Sequence, residues 1–126
     1  MDLHRLAEER SIGYHQLIAN RLRDRPEVLD NARRRVQGCL SESATPPFYA
    51  RQWAEKLAGD LDSIEAFLVD RSEFAIELRQ SSPFAGALSP QERWEIWRRV
   101  GEEFRAAHPR VANRRRSLHG NTIRIG

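Results

Sequence analysis

The sequence predicts an all-α protein, a single compact bundle of five to six helices with a basic C-terminal extension. Three observations predict it. Apolar residues recur every three or four positions along most of the chain. No alternating stretch rich in Val, Ile and Thr occurs in the body. Proline, glycine and capping residues cut the chain into pieces of helical length. Residues 1–108 read as the helical bundle and residues 109–126 as a basic tail.

The first predicted helix runs from about Leu3 to Arg23. Leu3, Leu6, Tyr14, Leu17, Ile18 and Leu22 mark its apolar stripe. Gly13 weakens it by roughly 1 kcal/mol relative to alanine and allows a kink. Asp24-Arg25-Pro26-Glu27 stops this helix and starts the next, because proline is tolerated where its missing N–H would be unpaired anyway. Val28, Leu29, Ala32, Val36, Cys39 and Leu40 form the second stripe, with Arg33, Arg34 and Arg35 outside it. The spacing favours antiparallel packing of these two helices around Leu17, Leu22, Val28 and Val36.

A loop from Ser41 to Pro47 leads to a third helix ending at Ala58, with Tyr49, Trp53 and Leu57 at intervals of four. Gly59 suits the left-handed position after a helix. Asp60 opens a fourth helix with Leu61, Ile64, Phe67 and Leu68 inward; Asp70-Arg71-Ser72-Glu73 either bends it or breaks it, and a break lets Ser72 cap a fifth containing Phe74, Ala75 and Leu78. Residues 81–88 are the longest irregular stretch of the body. Ser89-Pro90-Gln91-Glu92 combines a capping serine, a first-turn proline and a glutamate placed to close a capping box. The sixth helix extends from Pro90 to about Ala107, with Trp94, Trp97, Val100, Phe104 and Ala107 as its expected buried face. In the tail, Thr122-Ile123-Arg124-Ile125 alternates briefly, enough for one added strand.

Charge is segregated. Residues 1–104 carry 15 basic and 18 acidic groups, whereas residues 105–126 carry six arginines and no acid. These are Arg105, Arg110, Arg114, Arg115, Arg116 and Arg124. Such asymmetry marks an interaction arm. Twenty of the 21 basic residues are arginine, with Lys56 the exception. Guanidinium groups bind carboxylate or phosphate bidentately, yet a bias spread along the whole chain marks no site.

Several chemistries are weighed and set aside. No stretch approaches the roughly 20 apolar residues that span a bilayer. The opening Met1-Asp2-Leu3-His4-Arg5 lacks the apolar region of a signal peptide. Together with the single Cys39, this leads to the expectation of a cytoplasmic protein without disulfides. His4, Glu8 and His15 have metal-ligand side chains, but His4 and His15 would stand about 16 Å apart along a helix, so they read as surface or boundary histidines. His108 and His119 lie among arginines without a second acid–base group. Cys39 reads as a small buried hydrophobe on its stripe, although Arg35 one turn earlier would suit a reactive thiol. The carboxylates Glu8, Glu9, Asp60, Asp62, Glu65, Asp70, Glu102 and Glu103 read as solvated faces. No glycine-rich phosphate loop is present, and no cofactor is expected. Trp53, Trp94 and Trp97 read as core rather than as base-stacking platforms. Phe84, in its proline–glycine loop, either plugs the bundle or offers a partner an anchor, and it joins the arginines among the candidate partner-binding residues.

Leu6-Ala7-Glu8-Glu9-Arg10-Ser11, the segment from Tyr49 to Trp53, and the run from Ser82-Pro83-Phe84-Ala85-Gly86 through Glu92-Arg93-Trp94 resemble small bacterial helical proteins. Some of those look like antitoxins of toxin–antitoxin pairs. The resemblance covers about residues 3–100 and implies a binding protein rather than an enzyme, with a toxin as the implied partner. The expected function is therefore a non-enzymatic protein-interaction module that docks its helical body and arginine-rich tail on an acidic partner protein, alone or as a homo-oligomer. The alternative is a nucleic-acid-binding regulator that contacts phosphates through the tail. A helix-turn-helix reading of residues 47–69 meets an acidic second helix, bearing Asp60, Asp62, Glu65 and Asp70, which phosphate would repel.

Overall fold

A computed structural model describes residues 2–108, and these form six helices without a strand. The longest, α1 (Asp2–Arg21), carries Leu6, His15, Ile18 and Ala19 inward. It runs unbroken through Gly13, so the expected kink is absent. Gly13 instead permits contact: a Cβ there would stand 2.8 Å from Ile96 Cγ2 and 3.1 Å from Val100 Cγ2. A missing methyl group is what lets the two longest helices of the fold, α1 and the 90–107 helix, touch this closely.

Pro26 starts α2 (Pro26–Ser41), whose Leu29, Ala32 and Val36 face the core. The second helix packs chiefly on α3 (Phe48–Leu57). The first helix packs chiefly on α6 (Pro90–Ala107) and α4 (Leu61–Leu68). The expected α1–α2 pairing is the minor contact. Asp60 caps α4 by accepting from the Ser63 N–H at 2.7 Å, and Ser72 caps α5 (Glu73–Arg79) by accepting from the Ala75 N–H at 3.2 Å. Gly59 follows α3 without a positive φ, so its backbone does not use the freedom glycine offers. Gly86 does, at φ 83°.

Ser89 makes the predicted capping box with Glu92. Glu92 also receives a two-pronged ion pair from Arg21, which ties the end of α1 to the start of α6. The Arg21 guanidinium, followed by the Ser89 N–H, holds the Glu92 carboxyl down to about 2.

The core forms around Trp53, Leu57, Ile64, Leu68 and Leu78. Trp53 is 1% exposed, donates to the Leu78 carbonyl at 3.0 Å, and meets the rings of Phe67 and Phe84 edge-on. Phe84 is 4% exposed, so it plugs the bundle and offers no surface anchor. The irregular 81–88 segment is pinned by Pro83, Phe84 and Leu88, all buried.

On α6 the buried stripe is Ile96, Val100 and Phe104. Trp94 and Trp97 are 57% and 42% exposed, and Ala107 is exposed, against the expectation of a buried face. The helical repeat explains it. Trp94 lies about 120° around the helix from Val100, and Trp97 lies between them. Tyr49, Phe74 and Leu3 also reach solvent. His15 departs in the opposite direction: it is buried at 5% exposure rather than lying at the surface.

Candidate functional site

Two places combine exposure or volume with chemistry. The first is a cavity of about 560 Å³ bounded by α2, α3 and the 81–83 segment. Its apolar wall is Val36, Ala50, Trp53 and Pro83, and its polar wall includes Arg35, Glu42, Tyr49, Ser81 and Ser82. Cavities of this size hold small organic molecules. Cys39 also lines it and is half-buried, so the thiol borders the cavity instead of lying wholly within the core.

Behind this wall the fold brings Ser82 to His15, 67 residues away in the chain, while Ser11 lies one turn before His15 on α1. His15 Nδ1 lies 2.7 Å from the Ser11 carbonyl oxygen, and His15 Nε2 lies 2.8 Å from Ser82 Oγ. A carbonyl only accepts, so the neutral ring carries its proton on Nδ1 and Nε2 accepts from the Ser82 hydroxyl. Burial, aided by the nearby charges of Arg79 and Arg93, pushes the imidazole down to about 4, although the Ser11 carbonyl opposes this. The ring is therefore neutral at physiological pH. Ser82 Oγ accepts in turn from the Phe84 N–H at 3.3 Å.

The second place is the outer face of α6. Trp94 and Trp97 stack at 5.3 Å with 14° between their planes. The Arg10 guanidinium lies 3.7 Å from the Trp97 ring centre, and Arg10 Nε donates to the Trp97 carbonyl at 3.1 Å. Arg93 lies 4.5 Å from the centre of the Tyr14 ring. Tyr14, Leu88, Pro90, Arg93, Trp94 and Trp97 line a shallow groove there. Trp, Tyr and Arg are the residues that most often dominate binding energy at protein interfaces.

Among the remaining candidates, Arg105 is half-buried in the last turn of α6. Arg110, Arg114, Arg115, Arg116 and Arg124, with His119 and the 122–125 segment, lie outside the described residues. The ring of His108 stacks on Phe104, with centres 4.0 Å apart. His4 is exposed, and among the described residues no group of three or more His, Cys, Asp or Glu could hold a metal ion. The acidic side of α4 has an internal use, because Arg23 pairs with both Asp62 and Glu65. No helix of the described residues is long and apolar enough to cross a membrane.

Sequence reading missed the Ser82–His15 contact and the α6 aromatic face. No local signal marks a contact between residues 67 apart in the chain. The α6 face was open to helical arithmetic once Ile96, left out of the expected buried set, is counted on the inward stripe. No family model, curated protein or solved structure matches this chain.

Proposed function

We propose that this chain is a protein-interaction module that grips an acidic partner segment along α6. The observation that carries this reading is the solvent-facing Trp94–Trp97 stack, bracketed by the Arg10 and Arg93 guanidinium groups. Two large indoles left in water are costly to a monomer and valuable to a complex. The cations beside them favour a partner that offers carboxylates next to apolar side chains. In sequence, α6 leads directly into the acid-free 105–126 stretch, which adds to the cationic groups that an acidic partner would favour. An antitoxin that occludes an acidic groove of its toxin is the form of this function that the sequence resemblance favours.

The test begins with the partner co-purified from the native host by the full chain. Its affinity is then measured for the parent, for Trp94→Ala/Trp97→Ala and for Arg114→Ala/Arg115→Ala/Arg116→Ala. Each triple or double variant is expected to weaken binding at least 30-fold, on the order of 2 kcal/mol. Unchanged affinity in the tryptophan variant at low salt would remove α6 from the interface. Nucleic-acid binding is the second reading, carried by the six acid-free arginines alone. Submicromolar binding of an oligonucleotide that falls steeply with added salt would favour it instead.

A further inference from the structure

We propose that Ser82 is a nucleophile with His15 as its general base, and that the cavity beside it accepts the acyl part of an activated ester. This activity is separate from partner docking on α6 and does not depend on it.

The geometry is that of a nucleophile, a base and an orienting acceptor in series. The Ser11 carbonyl fixes which ring nitrogen of His15 carries the proton. Nε2 is thereby left bare and faces the Ser82 hydroxyl at 2.8 Å. Ser82 is one of the residues that line the cavity where a substrate carbonyl would lie. Phe84, packed edge-on against His15, helps keep the ring in place. Three separate restraints thus hold one hydroxyl: the base on its proton, the Phe84 N–H on its oxygen, and the buried Pro83–Phe84 plug beneath its backbone.

The cavity defines the substrate class. Val36, Ala50, Trp53 and Pro83 fit a short apolar acyl chain. Arg35 is a cation of the same cavity and makes no hydrogen bond or ion pair with the described residues. Its terminal nitrogen lies 3.7 Å from where a Cβ would sit on Gly86, beside the segment that carries Ser82. It is the group available to offset negative charge gathering on a carbonyl oxygen.

The reaction balances without a further reagent. Ser82 Oγ bonds to the ester carbonyl carbon while its proton passes to His15 Nε2. The tetrahedral adduct then expels the alcohol oxygen, which takes that proton from Nε2. Water repeats the sequence at the acyl-serine, releasing a carboxylic acid and restoring the hydroxyl. A buried, weakly basic imidazole accepts the hydroxyl proton poorly and so slows the attack, which confines the chemistry to strongly electrophilic esters with good leaving groups, such as aryl esters.

The full chain, incubated with a biotinylated fluorophosphonate and digested, tests this by mass spectrometry. The expected adduct is on Ser82, with neighbouring Ser81 unmodified. Hydrolysis of p-nitrophenyl butyrate is expected to fall at least ten-fold in Ser82→Ala and to persist in Ser63→Ala, a serine exposed on α4 away from the cavity. An unmodified Ser82 on the parent chain overturns the proposal whether or not any variant folds. So does a Ser82→Ala variant that folds and hydrolyses the ester at the parent rate. If His15→Gln lowers the melting temperature while the parent takes no label, the contact is a structural staple and the catalytic reading is wrong.

Discussion

Gly13 of α1 presses against Ile96 of α6 so closely that a single added methyl would stand 2.8 Å from the Ile96 Cγ2 carbon. The contact joins the two longest helices of the fold. Gly38 is also within a helix, but a Cβ there meets nothing within 4 Å. The two glycines should respond oppositely to alanine. Gly38→Ala gains helix propensity and is expected to stabilise by about 0.5–1 kcal/mol. Gly13→Ala gains the same propensity but overpacks the α1–α6 seam, and a net loss of roughly 1–2 kcal/mol is expected. Urea denaturation of both variants checks the pair, and a stabilised Gly13→Ala would show that the seam yields without cost.

Acid should weaken the fold through His15. Its folded-state imidazole is depressed from 6.5 to about 4, with burial the main cause. Between these values the unfolded chain binds a proton that the folded chain refuses, so stability falls as pH drops from 6.5 toward 4 and levels off below. The full contribution, present above pH 6.5, is on the order of 3 kcal/mol. Urea midpoints measured from pH 7.5 to 4 should show this slope, and His15→Gln should flatten it. An equal slope in the variant would assign the acid sensitivity to other groups.

The three tryptophans should separate by location. Trp53 fills the core and donates to the Leu78 carbonyl, so Trp53→Ala is expected to cost roughly 3–5 kcal/mol. Trp94→Ala removes a ring that is 57% exposed and should shift stability by no more than about 0.5 kcal/mol. Iodide quenching of tryptophan fluorescence in the parent should likewise reach Trp94 and Trp97 and spare Trp53.

Arg79 presents a buried charge with poor compensation. Its Nη1 donates to the Phe67 and Leu68 carbonyls at 3.4 Å each, and its buried Nε has no partner. Burial lowers the affinity of this guanidinium for its proton. Methionine would fill similar volume without the desolvation penalty, so Arg79→Met is expected to match the parent within about 1 kcal/mol or exceed it. Arg79→Ala should cost 2 kcal/mol or more through the cavity it leaves, by the usual order of magnitude. Calorimetry of the two variants distinguishes these causes. A large loss in Arg79→Met would mean that closing the end of α4 outweighs the cost of the buried charge.

The amino-acid sequence by itself determined the helical class, a count of five to six segments and most of their ends. These depend on near neighbours: Ser89 with Glu92, Asp60 with Ser63, Ser72 with Ala75, and Pro26 at the start of its helix. A cap spans three residues, so its signal is local and survives in the linear chain. Only the tertiary structure decided which faces met. Both an Ile96–Val100–Phe104 stripe and a Trp94–Trp97 stripe are written on α6, and the approach of α1 at Gly13 selected the first for burial. Likewise no pattern announces that His15 will lose its water to the core and find Ser82. Burial and long-range hydrogen bonds are properties of packing, and packing is fixed by the joint fit of all the helices rather than by any one of them.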